Sequence, residues 1–121
     1  MQNMTTDKND FHTQLKDLMD GFVLDIYSIT KSFPKEETYG LTSQIRRSSL
    51  SVILNYIEGY ARQRKVVLKN FLEISYGSLK ETKYLIYFSA CQKYISKDDE
   101  KRLLEISERI GRMLWGIITK L

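Results

Sequence analysis

Arg46, Arg47, Arg62, Arg64, Lys65 and Lys69 fall in one stretch of the chain, with Glu58 the only acid among them. The chemistry that such a cluster supports is phosphate contact. Guanidinium and ammonium groups displace counterions from a nucleic-acid backbone, which gives salt-dependent binding that does not read base sequence. Arg62, Arg64, Lys65 and Lys69 are the candidate nucleic-acid-binding residues, since Arg62-Gln63-Arg64-Lys65 forms the densest run. The same run also reads as a solvated basic loop that complements the C-terminal dipole of a preceding helix. Tyr56, Tyr60, Tyr76, Tyr84 and Tyr87 offer rings for base stacking, although tyrosines at helical spacing more often serve a core or an interface.

Catalytic chemistry finds little support. His12 is the only histidine and stands near the N-terminus, which argues against a histidine-based metal site. Cys91 has no histidine near it in sequence and reads as a buried structural cysteine rather than a nucleophile. Ser48, Ser49 and Ser51 have no evident general base. Glu36 with Glu37, and Asp98 with Asp99, read as helix N-terminal charges rather than acid–base pairs. No glycine-rich phosphate loop is present. The expectation is a protein that is not an enzyme, with no metal site and no cofactor.

The elements that must carry these residues are helical. One proline and six glycines in 121 residues leave too few breaks for a β sandwich or barrel. With 42% hydrophobic and 28% charged residues the chain has the material for one modest core and is not of disordered type. The net charge of +4 permits an acidic partner without requiring one. A single cysteine excludes an internal disulfide and fits a reducing compartment. The polar N-terminal residues lack a signal-peptide core, and no run approaches the roughly 20 apolar residues of a membrane span. The expectation is a cytoplasmic protein with no membrane partner.

Residues 1–9 read as a flexible tail and 10–121 as one domain. Helix 1 is predicted from about Asp10 to Phe33, on the stripe Phe11, Leu15, Leu18, Phe22, Ile26, Ile29 and Phe33. Pro34 ends it. Helix 2 begins between Glu37 and Leu41 and ends near Gly59 or Arg62. Helix 3 is predicted from about Lys65 to Tyr94, with Leu72, Leu79 and Ile86 inside. Its small residues Ser75, Gly77 and Ser78 would let a neighbouring helix approach closely. Helix 4 follows Ser96-Lys97-Asp98-Asp99, a capping-box spacing, and runs to the end on Leu103, Ile106, Ile110, Leu114, Ile117 and Leu121. Short connections make successive helices antiparallel. The fold class is all-α, an up-down-up-down four-helix bundle.

Helix 2 is unusual. At 100° per residue Gln44, Arg47, Ser51, Asn55, Glu58 and Arg62 share an arc of about 80°. Leu41, Ile45, Val52 and Tyr56 lie on one side of it, and Leu50, Ile53, Leu54 and Ile57 lie beyond the other. One apolar flank serves the chain's own core. The other needs a partner the chain does not contain, which points to a homo-oligomer. Gln44, Arg47, Ser51, Asn55 and Glu58 are then candidates for an interface or a shared lumen. The alternative is a buried polar network inside one monomer. Arg46 falls among Ile53 and Ile57, where it is expected to pair with a carboxylate or reach solvent.

At these residues the chain resembles the bacterial four-helix bundle protein family, also called the 23S rRNA intervening-sequence protein or S23 family. The motifs that carry the resemblance are Pro34 to Glu37 and Tyr39 to Gln44 with Arg46 and Arg47. Asn55, Glu58 and Gly59 follow, then Gly77, Ser78, Leu79 and Glu81. The likeness runs from helix 1 to helix 4. Departures are Val52-Ile53-Leu54 where the family often has a proline-containing run, and Ser48-Ser49 at an alanine-rich position. A tryptophan common in helix 1 is missing, and Trp115 is not its equivalent. The resemblance implies an antiparallel bundle that assembles as a ring, typically a homopentamer, with a link to RNA or DNA. A more distant likeness, to the accessory protein of diversity-generating retroelements, implies a scaffold that docks a protein partner such as a reverse transcriptase. The ribosomal label describes gene location.

Overall fold

The apolar stripes fold as four α-helices: α1 Met4–Ile29, α2 Leu41–Tyr60, α3 Lys65–Cys91 and α4 Lys97–Ile118. The computed structural model describes residues 4–121, with side chains from Asp10 onward, and among these no strand occurs. The tail expected over residues 1–9 therefore falls in part outside the described residues; from Met4 the backbone is helical. Neighbours in the bundle are α1 with α2, α2 with α3, α3 with α4, and α4 with α1. This closed order is that of an antiparallel up-down-up-down four-helix bundle. Among the described residues no helix is long and apolar enough to cross a membrane.

The core is where the stripes meet. Leu15, Phe22 and Ile26 of α1, Ile45 and Val52 of α2, Leu72 and Ile86 of α3, and Leu103, Ile110 and Leu114 of α4 are shut off from water. Each such side chain contributes about 1.5–3 kcal/mol relative to exposure. One tie links α4 to α1 on the outside: Arg102 grips Asp25 through Nη2 at 2.9 Å and Nε at 3.1 Å, and also bonds Asp99. These bonds raise the Arg102 pKa further, and Arg102 in turn holds the Asp99 carboxyl below its ordinary value.

The helix ends are set by local bonds. α1 stops at Ile29, short of the expected Phe33, because the chain tightens into a 3-10 turn over Thr30–Ser32. There Thr30 Oγ1 donates back to the Ile26 carbonyl at 2.7 Å, and Pro34 holds extended backbone just beyond. The first free amide of α2 is satisfied by Glu37, whose Oε1 accepts from Leu41 N at 3.1 Å. Its other oxygen accepts from Tyr94 Oη at 3.0 Å, which raises the Tyr94 pKa. Glu37 therefore acts as the N-terminal charge its position suggested. At α4, Asp99 N donates to Ser96 Oγ at 3.0 Å, the capping-box bond.

α3 ends at Cys91 rather than Tyr94. Lys93 takes φ of 65°, the left-handed region, and Tyr94 N bonds the Ser89 carbonyl at 2.9 Å. This is the usual way a helix terminates, with lysine where glycine is favoured. It turns Tyr94 onto Glu37 and against the Phe33 ring, 5.3 Å between centroids. Cys91 is exposed, contrary to the expected buried cysteine, because it lies on the outward arc of α3. Gly77 also faces outward with nothing near its Cβ position, so the close helix approach rests on Ser75 and Ser78 instead.

The left-handed backbone at Lys93 carries a testable consequence. Lys93→Gly should raise stability by roughly 1 kcal/mol, read as a higher urea midpoint at unchanged slope.

Candidate nucleic-acid interface

The α2–α3 seam positions everything that follows. Small side chains line it, so the helices come close. Ser75 Oγ donates to the Val52 carbonyl at 2.6 Å, and Ser51 and Ser78 share a hydroxyl bond of 2.8 Å. Thr82 Oγ1 lies 2.8 Å from Ser48 Oγ and 2.7 Å from the Ser78 carbonyl. Asn55 Nδ2 donates to Ser51 Oγ at 2.8 Å, and Arg47 reaches Glu81 at 3.4 Å. Thus Arg47 and Ser51 bond across the seam to α3, and Asn55 bonds back to Ser51 on α2 itself. Glu58 pairs with Arg62, and Gln44 is exposed.

The apolar flank beyond the polar line divides. Ile53 is buried against the core, whereas Leu50, Leu54 and Ile57 point outward at 36%, 52% and 47% exposure. On α3, Ile74, Tyr84 and Phe88 are exposed as well. Among the described residues Arg46 has no carboxylate partner. Its Nε donates to Thr30 Oγ1 at 2.7 Å, its Nη2 to the Tyr27 carbonyl at 3.2 Å, and its guanidinium lies 4.7 Å from the Tyr27 ring centroid. The Tyr27 carbonyl and the Thr30 hydroxyl, at the negative end of the α1 dipole, accept from the guanidinium in place of a carboxylate.

At the other end of the bundle the chain leaves α2 and enters α3 through a short bend. Gly59 is buried there, and a Cβ on it would stand 3.0 Å from Phe71 Cβ and 3.1 Å from Leu68 Cδ1. That crossing presents Arg62, Arg64, Lys65 and Lys69 together at one end. Arg62 is held by Glu58 and lies 5.2 Å from the Phe71 ring centroid. Among the described residues no ion pair joins Arg64, Lys65 or Lys69 to an acid.

Two further cations share this end. Arg112 of α4 and Lys120, just beyond its end, line a groove of about 600 Å³ together with Phe11, Tyr60, Leu68 and Ile117. The antiparallel order returns the end of α4 to the start of α3, so topology alone could have placed them. His12 also lines the groove. Its Nδ1 shares a hydrogen bond with Tyr56 Oη, and its ring lies edge-on to Tyr60 at 5.0 Å. Burial raises the Tyr56 and Tyr60 pKa values, and Tyr60 adds to the effect on Tyr56. Of the two, Tyr60 presents its ring to the groove, whereas Tyr56 is buried. Among the described residues no three His, Cys, Asp or Glu side chains converge as metal ligands.

The model of the family described as 23S rRNA-intervening sequence protein matches residues 13–116. A solved structure is similar to this chain: the 1.70 Å crystal structure of a protein with unknown function from the S23 ribosomal protein family of Bacteroides thetaiotaomicron VPI-5482. The TM-score is 0.83 at 24% identity, over 90% of this chain and 98% of that one. At this identity the likeness speaks for the four-helix fold alone. No curated protein matches.

Gly59→Ala tests whether the crossing is as tight as it stands. The extra methyl should destabilise the fold by about 1 kcal/mol, as overpacking does, although alanine favours helix. Urea denaturation of the two proteins reads the sign.

Proposed function

The chain belongs to the 23S rRNA-intervening sequence protein family, and on that premise we propose that it is a non-catalytic, self-associating cytoplasmic protein that binds nucleic acid through its basic end. The observation that carries this reading is a cluster of cations at that end with no ion pair among the described residues. Arg64 and Lys65 lie at the α2–α3 bend with Lys69 a turn into α3, and Arg112 and Lys120 line the groove at the same end of the bundle. With Arg62 they would contact phosphates without reading bases.

Self-association is supported by the apolar surface. Leu50, Leu54 and Ile57 follow one outward line of α2, and Ile74, Tyr84 and Phe88 lie on the outward side of α3. Two different apolar faces on one subunit suit a head-to-tail contact that closes into a ring. A homopentamer is the ring the family resemblance implies. Repetition around an axis multiplies each basic end and raises the local potential well beyond that of one chain. In a second reading the exposed rings of α3 dock a protein, an enzyme such as a reverse transcriptase, without direct nucleic-acid contact. A pull-down that recovers nucleic acid but no protein disfavours that reading.

Binding is measured by fluorescence anisotropy with labelled RNA and DNA at about 50 and 200 mM salt. Affinity should fall steeply between the two, and Arg64→Ala with Lys65→Ala should lower the salt slope by about one per cation removed. No binding at the lower salt counts against the proposal. Light scattering after size exclusion measures assembly. The wild type should elute as an oligomer at micromolar concentration and Leu54→Arg as a smaller species; a wild-type monomer sinks the ring.

A further inference from the structure

One surface takes no part in the bend or the apolar flank: the groove between α3 and α4. It has a volume of about 140 Å³, and Tyr76, Lys80, Lys83, Glu108, Arg112 and Trp115 line it. Gly111 forms its floor. A Cβ there would already touch Leu79 at 3.4 Å, so the absence of a side chain leaves room between the helices. Trp115 is 51% exposed although it is the largest apolar side chain in the chain and sits mid-groove. Its ring lies 5.3 Å from that of Tyr76, tilted by 39°. Lys80 Nζ is 5.2 Å from the Tyr76 ring centroid.

The charges around these rings are unbalanced. Glu108 is taken up by Lys83. Its carboxyl is held below the ordinary range by the Lys83 hydrogen bond first and by the charges of Lys83, Lys80 and Arg112 as well. Among the described residues Lys80 and Arg112 have no ion pair of their own. On a helical wheel Lys65, Lys69, Tyr76, Lys80 and Lys83 share an arc of about 60° on α3. One ring, Tyr76, therefore stands between two pairs of cations along one line, from the basic bend to the Trp115 groove. Arg112 borders both that groove and the larger one at the bundle end.

From this arrangement we infer that the α3–α4 groove is a stacking site for single-stranded nucleic acid, with a base on Trp115 and Tyr76 and the flanking phosphates on Lys80 and Arg112. The inference rests on the proposed nucleic-acid binding and adds to it a site and a strand class. A flat apolar ring among unpaired cations fits an anion that carries aromatic faces. A duplex hides its base faces inside its own stack, so this chemistry selects an unpaired strand. Lys69 and Lys65 continue the track towards the basic bend.

Trp115 is the only tryptophan, so its emission reports the groove directly. Short oligo-uridine, oligo-thymidine and a duplex of equal length are titrated against the full chain. Tryptophan emission and the anisotropy of labelled strands are followed together. Single strands should quench the emission in step with the anisotropy rise, and the two single-strand arms show whether RNA or DNA is preferred. Trp115→Ala should weaken single-strand binding roughly 5- to 100-fold, while Trp115→Phe retains most of it. Lys80→Ala with Arg112→Ala should lower the salt slope by about two. Anisotropy that rises with unchanged emission, and unchanged affinity in Trp115→Ala, overturns the stacking site and leaves the proposed function standing. Equal quenching by the duplex overturns the strand class. No anisotropy change with any probe overturns both.

Discussion

Between α2 and α3 the side-chain hydrogen bonds are made by hydroxyls and the close crossing is at a glycine, and that choice sets the rotation of α2 in the bundle. Ser48, Ser51, Ser75, Ser78 and Thr82 satisfy one another or nearby carbonyls across the seam. Gly59 lets the helices meet at the bend. A narrow polar arc on an apolar helix needs a polar partner, and α3 supplies one as small residues. Once that arc faces α3, geometry leaves no choice for the rest. Ile45 and Val52 turn into the core, and Leu50, Leu54 and Ile57 turn to water. Leucines or isoleucines at the seam would force the helices apart and remove both the outward flank and the tight bend.

Arg46 is held at the end of α1 by the Thr30 hydroxyl and the Tyr27 carbonyl, Arg47 by Glu81, and Arg102 by Asp25 and Asp99. At the end where α2 turns into α3, Arg64, Lys65, Lys69, Arg112 and Lys120 form no ion pair among the described residues. An exposed ion pair contributes little to stability. The cluster at this end stands where the tight Gly59 crossing also fixes the backbone.

Patterns that repeat within one helix were legible in the sequence: the four apolar stripes, the Pro34 break, the Ser96 cap and the narrow arc on α2. Periodicity reads these directly because one face of one helix holds the whole signal. Features that depend on a second element were not. For Arg46 the pattern offers a carboxylate or solvent; the side chain is partly exposed and also bonds a hydroxyl and a carbonyl of α1 and its end, partners that carry no sequence mark. The α3 terminus was placed three residues late, since a lysine in the left-handed region looks like any exposed lysine. Gly77 and Cys91 needed the rotation of α3, which is set by its packing on α2 and α4. Arg62 to Lys69 were found because they are contiguous. Arg112, Lys120 and the Trp115–Tyr76 pair were missed because their neighbours lie on other helices.

α3 is the element on which these constraints converge, and its circumference divides into three. One arc, with Leu72, Ser75, Leu79, Thr82 and Ile86, is buried against the core and α2. A second, with Ile74, Tyr84 and Phe88, is apolar and exposed. The third, with Lys69, Tyr76 and Lys80, borders α4. Apolar association favours surfaces with few charges, and phosphate contact favours surfaces rich in them. Placing the two on separate arcs of one rigid helix avoids competition between them. In the assembly proposed above, a subunit packed against the apolar arc would leave the cationic arc uncovered.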